Sequence, residues 1–214
     1  MKRVDRQSKG NAARAGVAPA SPDHPMPRTL KSKDFAGDAP EVARRLIGAT
    51  LLVDGVGGVI VETEAYDMSD AAAHTHRGPT ERNRAMFGPP GHAYVYFNYG
   101  LHWCLNFVCR EEGHGAGVLI RALQPTQGLA QMRARRGLED ERLLCAGPGR
   151  VGQALGIDKA FYGLPLDRPP FVVHAPDPAQ PVAVVAGPRI GISKAQALPW
   201  RFGLAGSRYV SRKF

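Results

Sequence analysis

Val59-Ile60-Val61-Glu62-Thr63-Glu64-Ala65 sets two carboxylates inside a run of Val and Ile. The run reads as a strand, and period-two geometry turns Glu62 and Glu64 toward one face. A carboxylate among aliphatic side chains is costly unless paired or hydrogen-bonded, which makes this strand end a candidate site. The plainer alternative is a strand emerging into solvent, and spacing alone favours it. Tyr66 extends the same face and sets an aromatic ring beside Glu64.

Elements on either side suggest a mixed α+β domain. Upstream, Asp38 followed by Glu41 resembles a capping box, and Val42, Leu46 and Ile47 predict a short amphipathic helix ending at Gly48. Thr50 to Val53 reads as a strand joined to the quoted one by a Gly-rich turn. Downstream, Ala71 to Arg84 is polar and looped. Ala93 to Phe97 and Leu101 to Val108 read as strands, with Asn98-Tyr99-Gly100 as the turn of a hairpin. Val118 to Leu123 is a further strand. Thr126 is placed to cap a helix carrying Leu129 and Met132, and Pro148 to open another. Val172-Val173, Val182 to Val185 and Ile190-Gly191-Ile192 are short strand candidates. Glycine and proline are frequent, 25 and 18 of 214 residues, which favours turns over a long helical bundle.

Composition narrows the partners. The formal net charge is +9, and after Asp177 come Arg189, Lys194, Arg201, Arg208, Arg212 and Lys213 with no acidic residue between. Clustered cations suit a polyanion such as nucleic acid, although many soluble proteins are simply basic. Residues 1–28 are basic, small and rich in proline, and read as a disordered tail before a domain at 29–214. Cys104, Cys109 and Cys145 are odd in number without CxxC spacing, pointing to a reducing, intracellular compartment. No apolar run is long enough to span a membrane, and nothing signals an oligomer, so a monomer is expected.

Three further groups could carry chemistry. Tyr94 and Tyr96 share a strand face, as packing tyrosines often do, whereas Tyr99 at a turn tip exposes apolar area and could wedge into a base stack. His74, His76 and a glutamate could be read as a metal site, but zinc normally needs a third protein ligand at recognisable spacing. Arg82 and Arg84 are either a solvated face or phosphate contacts. Arg121, within Val118-Leu119-Ile120-Arg121-Ala122-Leu123, demands a buried carboxylate that Glu62 or Glu64 could supply. That is a structural ion pair, or an arginine that helps its glutamate hold a water.

Taken in order, these stretches resemble the alkyladenine (3-methyladenine) DNA glycosylase family. The series is Val61-Glu62-Thr63-Glu64-Ala65-Tyr66, Ala72-Ala73-His74, Arg82-Asn83-Arg84-Ala85-Met86-Phe87, the tyrosine-rich run to Gly100, and Cys104-Leu105-Asn106. Val118 to Leu123, Cys145-Ala146-Gly147-Pro148, Gln153-Ala154-Leu155 and Arg189-Ile190-Gly191-Ile192 complete it. The resemblance implies a single domain around a curved antiparallel sheet, with flanking helices and a protruding hairpin. It implies a glycosylase without metal or cofactor that flips damaged purines from double-stranded DNA. Glu64 matches the general base, Arg121 its partner in positioning water, and the Ile190 carbonyl a third water contact. Tyr66, His74 and Tyr96 match the residues around the flipped base, with His76 a rival to His74 because the preceding loop is about one residue short. Asn106 matches the residue that obstructs the guanine amine. Tyr99 matches the wedge, with Met86 and Leu101 beside it. Lysine is absent from these positions, so no Schiff base or strand cleavage is expected. Two other classes compete: a non-catalytic DNA-binding module of the same fold, and a metal-dependent hydrolase.

Overall fold

The quoted run lies within β2 (Val56–Asp67), the strand to which most of the sheet is tied. The computed structural model describes residues 28–214. Along one edge β2 pairs antiparallel with β5 (Ala116–Gln127). Its other edge is shared, the start pairing with β1 (Thr50–Val53) and Glu62 to Glu64 pairing with β8 (Arg201–Leu204). Outward from β5 lie β4 (His102–Val108) and β3 (Ala93–Asn98); outward from β1 lies β6 (Phe171–His174), and β7 (Val184–Gly187) flanks β8. All these pairings are antiparallel, and the sheet curls into part of a barrel.

The curl has a local cause. Ile60 faces Leu123 and Glu62 faces Ala122, so Val61 is an extra residue on β2. Thr63 then faces Ile120, so Arg121 is the extra residue on β5. Such bulges raise the local twist and re-aim side chains. Val61 joins Ala122 and Tyr209 in a small apolar cluster, while Arg121 reaches the two glutamates.

Helices α1 (Ala39–Arg45), α2 (Leu129–Arg136), α3 (Glu141–Leu144) and α4 (Pro148–Leu155) flank the sheet. The main core joins Leu51, Ile60, Ile120 and Leu123 to Val42, Met132 and Val151. Helix α4 lies so close to β4 that a Cβ on Gly152 would stand 2.1 Å from the Trp103 carbonyl oxygen.

This is the expected single-domain α+β fold with a curved antiparallel sheet, and the helix at Pro148 is present. Several local expectations are corrected. Asp38 precedes α1 but does not cap it, because its carboxylate pairs with Arg110. Thr126 stays in β5, and Gly128 in left-handed conformation opens α2 instead. Ile190 to Ile192 is irregular rather than a strand, because the Ile190 amide bonds to a side chain and Gly191 has a positive φ of 75°. Strand β8 escapes the sequence reading because Arg201 and Gly203 break any apolar alternation; Gly203 is where the Phe214 ring packs. The tail at 1–28 falls outside the described residues except for Arg28. That residue belongs to the domain, its guanidinium 2.9 Å from Asp34 and its carbonyl accepting from Ala175.

Gly152→Ala should push α4 off β4 and destabilise the fold by about 1–3 kcal/mol. Thermal denaturation should show this as a melting temperature lowered by roughly 2–4 °C per kcal/mol.

Candidate active site

One lateral row of the sheet builds the site. Tyr94 on β3 faces Asn106 on β4, Asn106 faces Leu119 on β5, Leu119 faces Glu64 on β2, and Glu64 faces Arg201 on β8. Residues directly opposite in antiparallel strands share a face, so these side chains gather though distant in sequence. Tyr96 and Tyr66 extend the row by two residues along their own strands. Tyr66, Tyr94, Tyr96, Glu64 and Asn106 line a cavity of about 460 Å³.

The two glutamates are both fully buried and have different fates. Glu62 Oε1 accepts from Arg121 Nε at 3.1 Å, Arg201 Nε at 2.7 Å and the Ser211 hydroxyl at 2.9 Å. Its Oε2 accepts from the Ser211 amide. A carboxylate offers about four acceptor positions; four donors reach Glu62, three of them crowding Oε1, and it does not line the cavity. Glu64 Oε2 accepts from Arg121 Nη1 at 3.1 Å and the Tyr66 hydroxyl at 2.8 Å, and Oε1 accepts from the Ile190 amide at 2.7 Å. Those three donors leave Glu64 about one acceptor position, and it does line the cavity. Arg121 and Arg201 balance the two carboxylates, so the buried cluster is neutral.

Aromatic groups form the walls. The Tyr94 and Tyr96 rings stack at 5.5 Å between centroids, and the His74 ring meets Tyr96 edge-on at 4.5 Å. His74 Nδ1 lies 3.1 Å from the Tyr94 hydroxyl. His76 turns instead to the Met68 carbonyl, so the cavity takes His74 and not its rival. Burial, together with the positive charge of Arg82, lowers the His74 pKa from its usual value. Burial and then the charge of Glu64 push the Tyr66 phenol upward, and burial does the same for Tyr94 and Tyr96, so all three stay protonated. Asn106 is held by its amide donating to the Tyr94 carbonyl at 3.2 Å.

Tyr99, which lines the cavity, is 81% exposed, and Leu101, two residues on in the same hairpin, is 77% exposed. The turn has positive φ at both Tyr99 (50°) and Gly100 (67°), the pair that a type I′ hairpin turn requires. Met86 is not beside them on the surface. It is buried against Tyr94 and Val108 and lines the cavity, because the 3-10 turn Arg84–Phe87 carries it inward. Arg82 lies over the Tyr96 ring, 5.8 Å from its centroid, and Arg84 is exposed. Ile190 is against Glu64 through its amide N–H, where its carbonyl was expected to matter. Among the described residues no cluster of three His, Cys, Asp or Glu could hold a metal ion.

Sequence reasoning missed Arg201, Ser211, Asp70 and the role of Arg189. Arg201 was visible only as a positive charge, and Arg189 only as a charge and as the first residue of a family-like stretch; their burial, at 3% and 5% exposure, depends on strand β8 and the loop before it.

The site is thus a buried carboxylate at an aromatic-walled cavity in a curled sheet. The chain belongs to the methylpurine-DNA glycosylase family, whose model matches residues 33–208. It is therefore a DNA glycosylase, an N-glycosyl hydrolase that binds DNA as substrate. A relative from Nitrosospira multiformis, named for 3-methyladenine DNA glycosylase activity, is 64% identical over 189 residues, 88% of this chain and 97% of its own. Similarly named proteins of Rhodopseudomonas palustris and Rhizobium meliloti are each 61% identical, covering 86% and 84% of this chain and 91% and 95% of theirs.

Glu62→Gln should leave the buried Arg201 without its charged partner and cost about 3–5 kcal/mol, read by urea denaturation. The lowered His74 pKa implies that the unfolded chain binds more protons as pH falls below 6.5. Its contribution to stability is thus complete above 6.5 and lost on acidification toward the folded-state value. Arg82→Gln should raise the His74 titration midpoint, as followed by NMR of the ring.

Proposed function

We propose that this protein removes alkylated or deaminated purines from duplex DNA by a single hydrolytic displacement, with Glu64 as general base. The observation that carries this reading is the spare acceptor position of Glu64 at the cavity, with Arg121, Tyr66 and the Ile190 amide fixing the carboxylate around it. The damaged nucleotide swings out of the stack, its base enters between the Tyr66 ring and the Tyr96–His74 wall, and the exposed Tyr99 fills the gap in the duplex. A bulky residue with positive φ is strained, and strain of this kind collects at functional positions.

The chemistry follows from the charges. The C1′–N bond breaks with its electron pair going to the base, and the sugar becomes oxocarbenium-like. Glu64 stabilises that charge and takes a proton from the water whose oxygen bonds to C1′. A cationic leaving group such as 3-methyladenine or 7-methylguanine departs neutral and stacks well on tyrosine faces. Hypoxanthine and ethenoadenine are neutral and need a proton or hydrogen bond on departure. Asn106, clamped to the Tyr94 carbonyl, narrows the cavity against the amine of normal guanine. On this reading the product is an abasic site with the strand intact, because a water activated by Glu64, and not a lysine amine, attacks C1′. The protein acts as a monomer inside the cell, with Arg82 and Arg84 against phosphates and residues 29–214 as the catalytic domain.

The test uses duplexes carrying one hypoxanthine or one ethenoadenine, and methylated DNA, in the presence of EDTA. Free base and alkali-labile sites should appear without strand cleavage. Glu64→Gln should slow release by at least about a hundred-fold while still binding lesion DNA. Tight binding with no release from any lesion would favour a binding module, and activity that requires metal would overturn the assigned site.

A further inference from the structure

The segment between β7 and β8, residues 188–200, forms one wall of the cavity through Gly191, Ile192, Ser193 and Lys194. Most of it is exposed or half-buried and has no regular structure. Its polar ties to the rest of the protein lie at Arg189 and Ile190 near one end and, at the other, at the Trp200 carbonyl, which accepts from the Ala65 amide at 2.9 Å. The Arg189 side chain is wholly buried. Its Nη1 donates to the Ala65 carbonyl at the end of β2, at 2.9 Å, and to the Asp70 carboxylate in the following loop. Its Nη2 reaches back to the Ala195 carbonyl at 3.4 Å. Further along, Gln196 and the Leu198 amide bond only within the segment itself.

The same guanidinium touches both working parts of the site. Its carbon lies 4.7 Å from the centre of the Tyr66 ring and 5.4 Å from that of Trp200, so it backs the stacking platform. The next residue, Ile190, supplies the amide that holds Glu64 Oε1. Asp70 is fixed in turn, 4% exposed and accepting from the Ala72 amide at 2.9 Å, and Ala72 lines the cavity near His74.

We infer that Arg189, paired with Asp70, is a positioning residue for the excision reaction: it clamps the wall segment to β2 so that the Ile190 amide and the Tyr66 ring stand in reactive geometry. The inference rests on Glu64 being the base. A guanidinium is required because only its planar fork serves Ala65, Asp70 and Ala195 together; lysine keeps the charge and loses the fork. Displacing a catalytic group by about 1 Å can cost roughly a hundred-fold in rate.

The test compares Arg189→Lys, Asp70→Asn and the double variant of the full chain under single turnover on a hypoxanthine duplex. Arg189→Lys should slow excision by about ten- to a hundred-fold, and the double variant should be no slower, because the two residues act as one unit. Affinity for a duplex bearing a tetrahydrofuran abasic analogue, which puts no base in the cavity, should not change. Hydrogen exchange at the Ile190 amide should quicken in both single variants while β2 amides at Ile60 and Val61 stay protected. Unchanged excision rates, additive losses, or parallel loss of abasic-duplex affinity and β2 protection would overturn the inference. If wild-type protein released no base from any lesion, the functional reading would fail instead, and exchange at Ile190 would still report on the clamp.

Discussion

Four buried charges, Glu62, Glu64, Arg121 and Arg201, meet where β2, β5 and β8 come together, and the site depends on their balance. Taking an ion out of water costs several kcal/mol even after relaxation. Two carboxylates facing two guanidiniums repay that cost only when each hydrogen-bonding position is filled in good geometry. Glu62 takes four protein donors and brings the C-terminal segment, through Ser211, onto the sheet. Glu64 takes three, and its incomplete shell is what faces the cavity.

The cluster in turn depends on a fault in the strand pairing. Regular pairing of β2 and β5 would oppose every residue of one to a residue of the other. The paired bulges at Val61 and Arg121 break that rule within a few residues, bend the sheet and bring one guanidinium to both glutamates. Curvature and catalytic geometry therefore have a common origin. A flat sheet would present the tyrosines of β3 and the carboxylate of β2 on a plane; the curled one wraps them around the cavity.

Rigidity is graded across the site. The carboxylate floor lies in buried strands, the aromatic wall leans on Tyr94 and Met86 in their own apolar cluster, and the remaining wall is an irregular segment held at Arg189, Ile190 and Trp200. The hairpin tip, with Tyr99 and Leu101 in solvent, is the least supported part.

Much of this was legible in the sequence. The apolar run around Glu62 and Glu64, the arginine set in a second apolar run, and the Asn98-Tyr99-Gly100 turn each carry a local physical signature: burial cost, charge pairing and turn chemistry. His74, Asn106, Met86 and Ile190 came from resemblance to a family, whereas those signatures determined the α+β class, the hairpin and the Glu, Arg and Tyr residues at the cavity. They could not separate Glu62 from Glu64, because the difference lies in how many donors each receives, and the donors come from Arg201, Ser211 and Ile190, more than a hundred residues away. They could not choose His74 over His76, place Met86 inside, or show that Asp38 serves Arg110 rather than a helix end. Those outcomes belong to register, bulges and loop path. The sequence by itself determined which side chains would be expensive to bury; only the tertiary structure decided which of them would be left partly unsatisfied at a cavity, because saturation is a property of neighbours that chain folding alone brings together.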